Sequence, residues 1–303
     1  MISTDKPTGT PARRRSHRWF IALLLAPTLV GMGIFTILPI LGSLVLAFFE
    51  WDLVSAPTFN GVDNFVALGA DTTIRRAFIN TIGFVAIAVT LQLALAMFLA
   101  VMIQSRMPNW LRLFFRSTFF FPLVLSAASV SIFMRYMFNE QFGVVNWMLN
   151  LVGISSVPWL TTQTGAAAVV IFVFVWQNFG FSFLILIGGL ASIPKELHEA
   201  AEIDGASGWR HFRNITLPLI SPSMLVASVT AMITALQVFD QPYVLTRGGP
   251  GDSTRSAVMV VFEAAFQRLE FGLASATGLV LMLIIMLITW GQFRLSRRLV
   301  FYQ

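Results

Sequence analysis

Ile193 to Pro222 read IPKELHEAAEIDGASGWRHFRNITLPLISP, the longest internal loop between two apolar segments of the chain. Pro194 suits a first helical turn, where its missing N–H costs little, and Lys195 to Asp204 contain no helix breaker. The spacing predicts a short helix that ends where Gly205 takes up positive φ. Ser207 then caps a second short helix running to about Asn214, before Pro218 and Pro222 return the chain to the next apolar segment. On the first helix, Leu197, Ala200, Ala201 and Asp204 fall at i, i+3, i+4 and i+7, a face of mostly small residues that lets another surface approach closely. Glu196, Glu199, Glu202 and Asp204 concentrate negative charge there. On composition alone, a solvated acidic loop helix accounts for the segment equally well.

The segments around this loop set the class. Of 303 residues, 56% are hydrophobic and only 11% charged, a balance unsuited to water. Several apolar runs exceed the roughly 18 residues at which a bilayer-spanning helix becomes the default. Six spans are predicted, at 20–49, 77–103, 118–138, 164–190, 223–243 and 271–293, giving an all-α integral membrane protein. Pro27 and Pro39 predict a kinked or partly interfacial first helix. Its basic start resembles a signal peptide, but the run from Phe20 to Phe49 is too long for a signal core, so a retained anchor fits better. The chain divides into a polar tail, 1–18, expected to be disordered, and a transmembrane domain, 19–303.

Orientation follows from Lys and Arg in the short loops. Lys6, Arg13, Arg14, Arg15, Arg18, Arg106, Arg112, Arg116, Lys195, Arg210, Arg213, Arg294, Arg297 and Arg298 lie on the N-terminal side, against Arg75, Arg76, Arg135, Arg247, Arg255 and Arg268 on the other. Fourteen against six puts both termini and the 193–222 loop in the cytoplasm. The net charge of +6 sits beside apolar segments, not on a basic stripe, so nucleic acid is not an expected partner. Cysteine is absent, which removes disulfides and thiolate metal sites.

Glu199, Ala200, Ala201, Gly205, Ile215, Leu217 and Pro218 match, with every spacing kept, the Glu-Ala-Ala, three residues, Gly, nine residues, Ile-x-Leu-Pro signature of permeases of binding-protein-dependent ABC importers. The chain is identified by this resemblance as a type I importer permease. FDQPYVLTRGGPGDST (Phe239 to Thr254), FGLASATGLVL (Phe271 to Leu281) and GVDNF (Gly61 to Phe65) are similar to the carbohydrate-importer group that includes maltose and glycerol-3-phosphate permeases. The resemblance implies that the loop forms coupling helices seated on a separate ATPase, with Glu199 pairing a basic residue there. It also implies a second related permease, two ATPase subunits holding ATP and magnesium, and an extracytoplasmic solute-binding protein.

No step of hydrolysis is expected in this chain. A P-loop needs Gly-Lys followed by Ser or Thr, whereas Lys6 precedes Pro7 and Lys195 precedes Glu196. His17, His198 and His211 have no metal-ligand spacing. No catalytic residue, cofactor or metal is assigned. For the solute path, Thr230, Thr234, Gln237 and Gln241 recur at i, i+4, i+7 and i+11 on an otherwise apolar span, and Gln177, Asn178 and Phe181 sit mid-span in the preceding one. Amides and aromatic faces suit sugar hydroxyls and rings, though helix–helix hydrogen bonding explains the stripe as well. Asp240 and Tyr243 lie at the outer end, Asp240 as a gate, a substrate contact or an interfacial carboxylate. Arg135 is the one cation in or beside a span, which favours a neutral sugar over glycerol-3-phosphate or a related phosphodiester or polyol. An ion-coupled secondary transporter needs an intramembrane carboxylate, and Asp240 is a weak candidate for it. A structural membrane scaffold leaves the loop spacing without explanation.

Overall fold

The computed structural model describes residues 11–104, 107–194, 196–197 and 208–299. Helix α1 (Pro11–Met32) passes through a π-helical turn (Gly33–Ile37) into α2 (Leu38–Leu46). A short antiparallel pair follows, β1 (Phe49–Glu50) with β2 (Thr58–Phe59), then α3 (Asp63–Ala70) and α4 (Thr72–Gln104). Next come α5 (Asn109–Val124), α6 (Ala127–Met137), α7 (Val144–Leu151) and α8 (Gln163–Ala191). The loop region holds α9 (Gly208–His211), a second π turn (Phe212–Thr216) and α10 (Leu217–Leu219). The chain continues with α11 (Ser221–Leu236), α12 (Asp240–Thr246), α13 (Ala257–Phe262), a third π turn (Glu263–Gln267) and α14 (Phe271–Leu299).

Four of these helical runs are long and apolar enough to cross a bilayer, and two bent pairs bring the number to six if each pair counts as one span. The expected spans at 77–103, 164–190 and 271–293 match α4, α8 and α14 within a few residues at each end, apart from five extra residues before 77 and six after 293. The other three differ. The first helix begins at Pro11, inside the stretch expected as a tail, and stops at Leu46 because Phe49 and Glu50 pair with β2. It runs continuously through Pro39: the π turn just before that proline widens the helix where its ring would otherwise strike the carbonyl four residues back. The expected third span breaks at Leu125 and Ser126, both extended, and α6 turns 97° from α5. Pro122, which lacks an N–H, lies in the last turn before this break. The expected fifth span ends at Leu236, is interrupted at 237–239 and resumes as α12. In the loop, the path expected to end near Asn214 continues helically through Pro218 to Leu219, again behind a π turn, and bends 71° into α11.

The packed centre is α4 against α8, with α11 lying on both and α5 on α8. Their contact faces are closed by Ala88, Ala96 and Ala100 on α4, Phe174, Phe183 and Leu186 on α8, and Ile220, Ala231, Ala235 and Leu236 around α11, all fully buried. Gly180 lets α5 and α8 meet backbone to backbone: a Cβ there would stand 1.9 Å from the Phe119 carbonyl oxygen. At the other end, Gly272 of α14 seats against the Phe49 carbonyl, where a Cβ would also come within 1.9 Å. Asn64, from the GVDNF segment, is buried and donates to the Ala47 and Phe49 carbonyls at 3.0 and 2.9 Å, joining α3 to the end of α2. The turn between the strands is capped by Asp52. The Ser55 hydroxyl and amide donate to Asp52 and hold its carboxyl below the usual carboxylate range, so the cap persists until pH falls through that lowered value.

By contrast, α1 and α2 contribute no buried residue to their membrane-length window, and Phe35 is 82% exposed. An apolar helix this bare belongs against lipid or another polypeptide. The close α5–α8 contact yields a direct test. Gly180→Val should lower the thermal midpoint of the purified transporter, an overpacking cost of about 1–3 kcal/mol, whereas Gly188→Ala, with open space at its Cβ, should leave it equal or slightly higher.

Candidate functional site

Two buried amide groups organise the middle of the chain. The Gln177 side chain on α8 donates to the Leu125 carbonyl at 3.1 Å and accepts from the Gln241 amide on α12 at 2.9 Å. Gln177 is 4% and Gln241 5% exposed. One side chain therefore joins both helix breaks, the α5–α6 elbow and the gap before α12. A carbonyl released by a broken helix in a membrane must find a donor in the protein, and Gln177 supplies it. On the neighbouring face, Gln92 of α4 donates to Ser182 at 2.8 Å and to the Asn178 carbonyl at 3.3 Å, fastening the central α4–α8 pair.

The sequence-derived candidates separate under this geometry. Gln177 and Gln241 come together, but Gln241 lies beyond the break and is not in line with Thr230, Thr234 and Gln237. Thr230 returns its hydroxyl to the Val226 and Ala227 carbonyls of its own helix. Thr234 and Gln237 are exposed at the C-terminal end of α11 and at the break itself. Asn178 donates to Phe174 within α8, and Phe181, one turn beyond the buried Gln177, is 42% exposed. Asp240 begins α12 and is half-buried; Tyr243, one turn on, stacks on Phe239 at 5.0 Å, with Phe262 packed against both rings. The stripe expected from the spacing is thus two sets: an amide pair inside the protein and an exposed polar edge around 234–240. Gln92 did not figure among the candidates; its signal was an amide isolated within a long apolar run.

In the first half of α4, Asn80 donates to the Asp252 and Arg255 carbonyls at 2.6 and 3.3 Å, and Thr81 accepts from the Ala257 amide at 2.9 Å. These bonds tie the GGPGDST loop to α4. In the 193–222 loop, Glu199, Ala200, Ala201, Asp204 and Gly205 lie outside the described residues. Of the remainder, Leu217 is exposed, Ile215 and Pro218 are half-buried, and Ile220 is fully buried against α8. Trp209 stands 71% exposed and packs on Phe212 at 5.3 Å. This arrangement offers an apolar surface on one side and an anchor into the helical core on the other.

Gln177→Leu should lower the thermal midpoint, because it leaves the Leu125 carbonyl and the Gln241 amide without partners at about 1–3 kcal/mol each. Gln237→Leu, at an exposed position, should leave the midpoint within about 0.5 kcal/mol of the parent.

Residues 92–301 match the family described as the binding-protein-dependent transport system inner membrane component. The chain is 32% identical over 302 residues to the sulfoquinovosyl glycerol transport system permease protein SmoG of Agrobacterium fabrum, covering 98% of this chain and 97% of that protein. It is 31% identical over 279 residues to the trehalose/maltose transport system permease protein MalF of Thermococcus litoralis, covering 91% and 92%. A chain of a bacterial alginate ABC transporter, solved in complex with an alginate pentasaccharide-bound periplasmic protein, shares the fold with a TM-score of 0.83 at 24% identity, covering 94% of this chain and 96% of that one. The long helices, the paired breaks and these matches along nearly the whole chain agree, and the protein belongs to the binding-protein-dependent transport system inner membrane component family.

Proposed function

We propose that this chain is one of two related permease subunits of an ATP-driven importer and forms half of the path for a carbohydrate. The observation that carries the reading is the polar break between α11 and α12, where Thr234 and Gln237 are exposed and Asp240 is half-exposed beside the buried Gln177–Gln241 pair. Exposed amides and hydroxyls within apolar helices are costly against lipid and belong to a water-filled path or a protein neighbour. Tyr243 and Phe239 add aromatic faces next to them. Relatives at 31% identity named for trehalose/maltose and lactose transport support a sugar as the solute.

In this reading the 193–222 loop faces the cytoplasm, as do both termini. Glu199, Asp204 and the alanines dock on an ATPase subunit, Gly205 allows the turn, and Ile215, Leu217 and Pro218 pass motion to α11. Two ATPase subunits bind ATP and magnesium; this chain binds neither. An extracytoplasmic binding protein delivers the solute, and nucleotide binding supplies the energy difference between inward-facing and outward-facing states.

Glu199→Lys should abolish co-purification of the ATPase, or uncouple its hydrolysis from uptake, while membrane insertion stays normal. Normal assembly and uptake in that variant would reject the docking role. Uptake by this chain alone in liposomes under an ion gradient would instead favour a secondary transporter.

A further inference from the structure

At the tips of α6 and α12, the structure holds a polar cavity of about 440 Å³ lined by Arg135, Glu140, Gln141, Thr161, Thr246 and Arg247, among others. Arg247 follows Gln241 by six residues, about 9 Å along a helix axis, so the cavity lies beyond the amide pair toward the end of α12. Two guanidiniums reach it from different elements. Arg135 stands in the last turn of α6, and Arg247 caps α12. Neither has a hydrogen-bonding or ionic side-chain partner among the described residues. On the same side, Arg255 pairs with Asp252 and Glu263 and Arg268 with Glu270, while Arg76 donates to the Gly251 carbonyl. The one carboxylate lining the cavity, Glu140, accepts from the Thr161 hydroxyl instead of pairing with either arginine.

Helix capping does not account for Arg247. Its φ is +51°, a left-handed conformation that costs a residue with a side chain and suits glycine, and Gly248 follows it at +81°. The turn is closed by backbone alone, with the Arg247 amide donating to the Tyr243 carbonyl and the Gly248 amide to the Pro242 carbonyl, both at 3.2 Å. A glycine at 247 would make the same bonds without strain. What the arginine adds is an exposed cationic side chain on the lining of the cavity, as Arg135 does from α6. The rim opposite is equally ordered, since the Asn139 side chain accepts from the Gln141 and Phe142 amides at 2.9 and 3.2 Å.

We propose that this cavity is a subsite for an oxyanion carried by the transported carbohydrate, a carboxylate, sulfonate or phosphate ester. Guanidiniums match such groups through forked, charge-assisted hydrogen bonds, while the Gln141 side chain offers a neutral partner to flanking hydroxyls. The expectation of a neutral solute counted Arg135 alone; the fold brings Arg247 to the same cavity. The inference rests on the carbohydrate-permease reading and specifies its substrate class.

The test uses the complete transporter with its binding protein in liposomes, measuring uptake of a uronic-acid-bearing disaccharide and of the analogue whose carboxyl is reduced to the alcohol. The parent should carry the acid-bearing sugar. Arg135→Gln and Arg247→Gln should each lower the ratio of acidic to neutral uptake about ten-fold. Arg247→Gly should lower it equally while its thermal midpoint stays equal to or above the parent's, which separates loss of the charge from loss of the fold. An unchanged ratio in these variants, or uptake confined to neutral sugars in the parent, overturns the proposal and leaves the permease reading standing. A defect that appears in vesicles containing phosphatidylglycerol but not in phosphatidylcholine alone assigns the arginines to a lipid headgroup and also overturns it. Failure to carry any carbohydrate rejects the permease reading itself.

Discussion

A broken helix in a membrane leaves carbonyls that water cannot reach, and the core of this chain depends on one side chain that meets that demand. Gln177 donates to the Leu125 carbonyl at the α5–α6 elbow and accepts from Gln241 in the first turn of α12. An unsatisfied carbonyl costs roughly 1–3 kcal/mol in protein interiors and more in hydrocarbon, so the elbow needs this donor, while at the second break the Ser256 hydroxyl donates to the Val238 carbonyl at 2.8 Å. Joined through Gln177, the two breaks sit at one level of α8. They leave Thr234 and Gln237 exposed where a continuous fifth helix would have run on.

A related constraint bears on two of the chain's helical prolines. Pro39 and Pro218 each follow a π turn, at 33–37 and 212–216, where the widened helix accommodates the ring and the missing N–H. At Pro218 the helical path therefore continues from the 208–216 segment to Leu219, and Ile220 is buried against α8 before α11 departs at 71°. A displacement applied at Trp209 or Leu217 has a packed route to the helix that ends at the polar break. Gly180 serves a complementary purpose: it brings the α5 backbone against α8, which holds the elbow within reach of Gln177.

The architecture was legible wherever length and apolarity decide alone. The α4, α8 and α14 spans were readable because their runs contain no strong breaker and exceed a bilayer's thickness. The family was readable through the Glu199 to Pro218 spacing. The breaks were not. Neither Leu125–Ser126 nor Gln237–Phe239 contains glycine or proline, and each break is met by a donor distant in sequence, Gln177 for the Leu125 carbonyl and Ser256 for the Val238 carbonyl. For that reason the periodicity joined Gln241 to Thr230, Thr234 and Gln237, although the fold places it with Gln177. Phe181 was read with Gln177, and at i+4 it shares that face of α8, yet it is 42% exposed where Gln177 is buried.

The central claim is that the exposed edge at the α11–α12 break faces the solute path while the outward face of α8 does not. The chain has no cysteine, so single cysteines introduced at 234, 237 and 181 give labelling without background from this subunit. In the assembled transporter, a membrane-impermeant thiol reagent should modify Thr234→Cys and Gln237→Cys at rates that change between nucleotide-free and ATP-bound states and fall when solute is present, with Phe181→Cys unreactive. Unreactive 234 and 237 positions in both states, with Phe181→Cys labelled instead, would contradict the account.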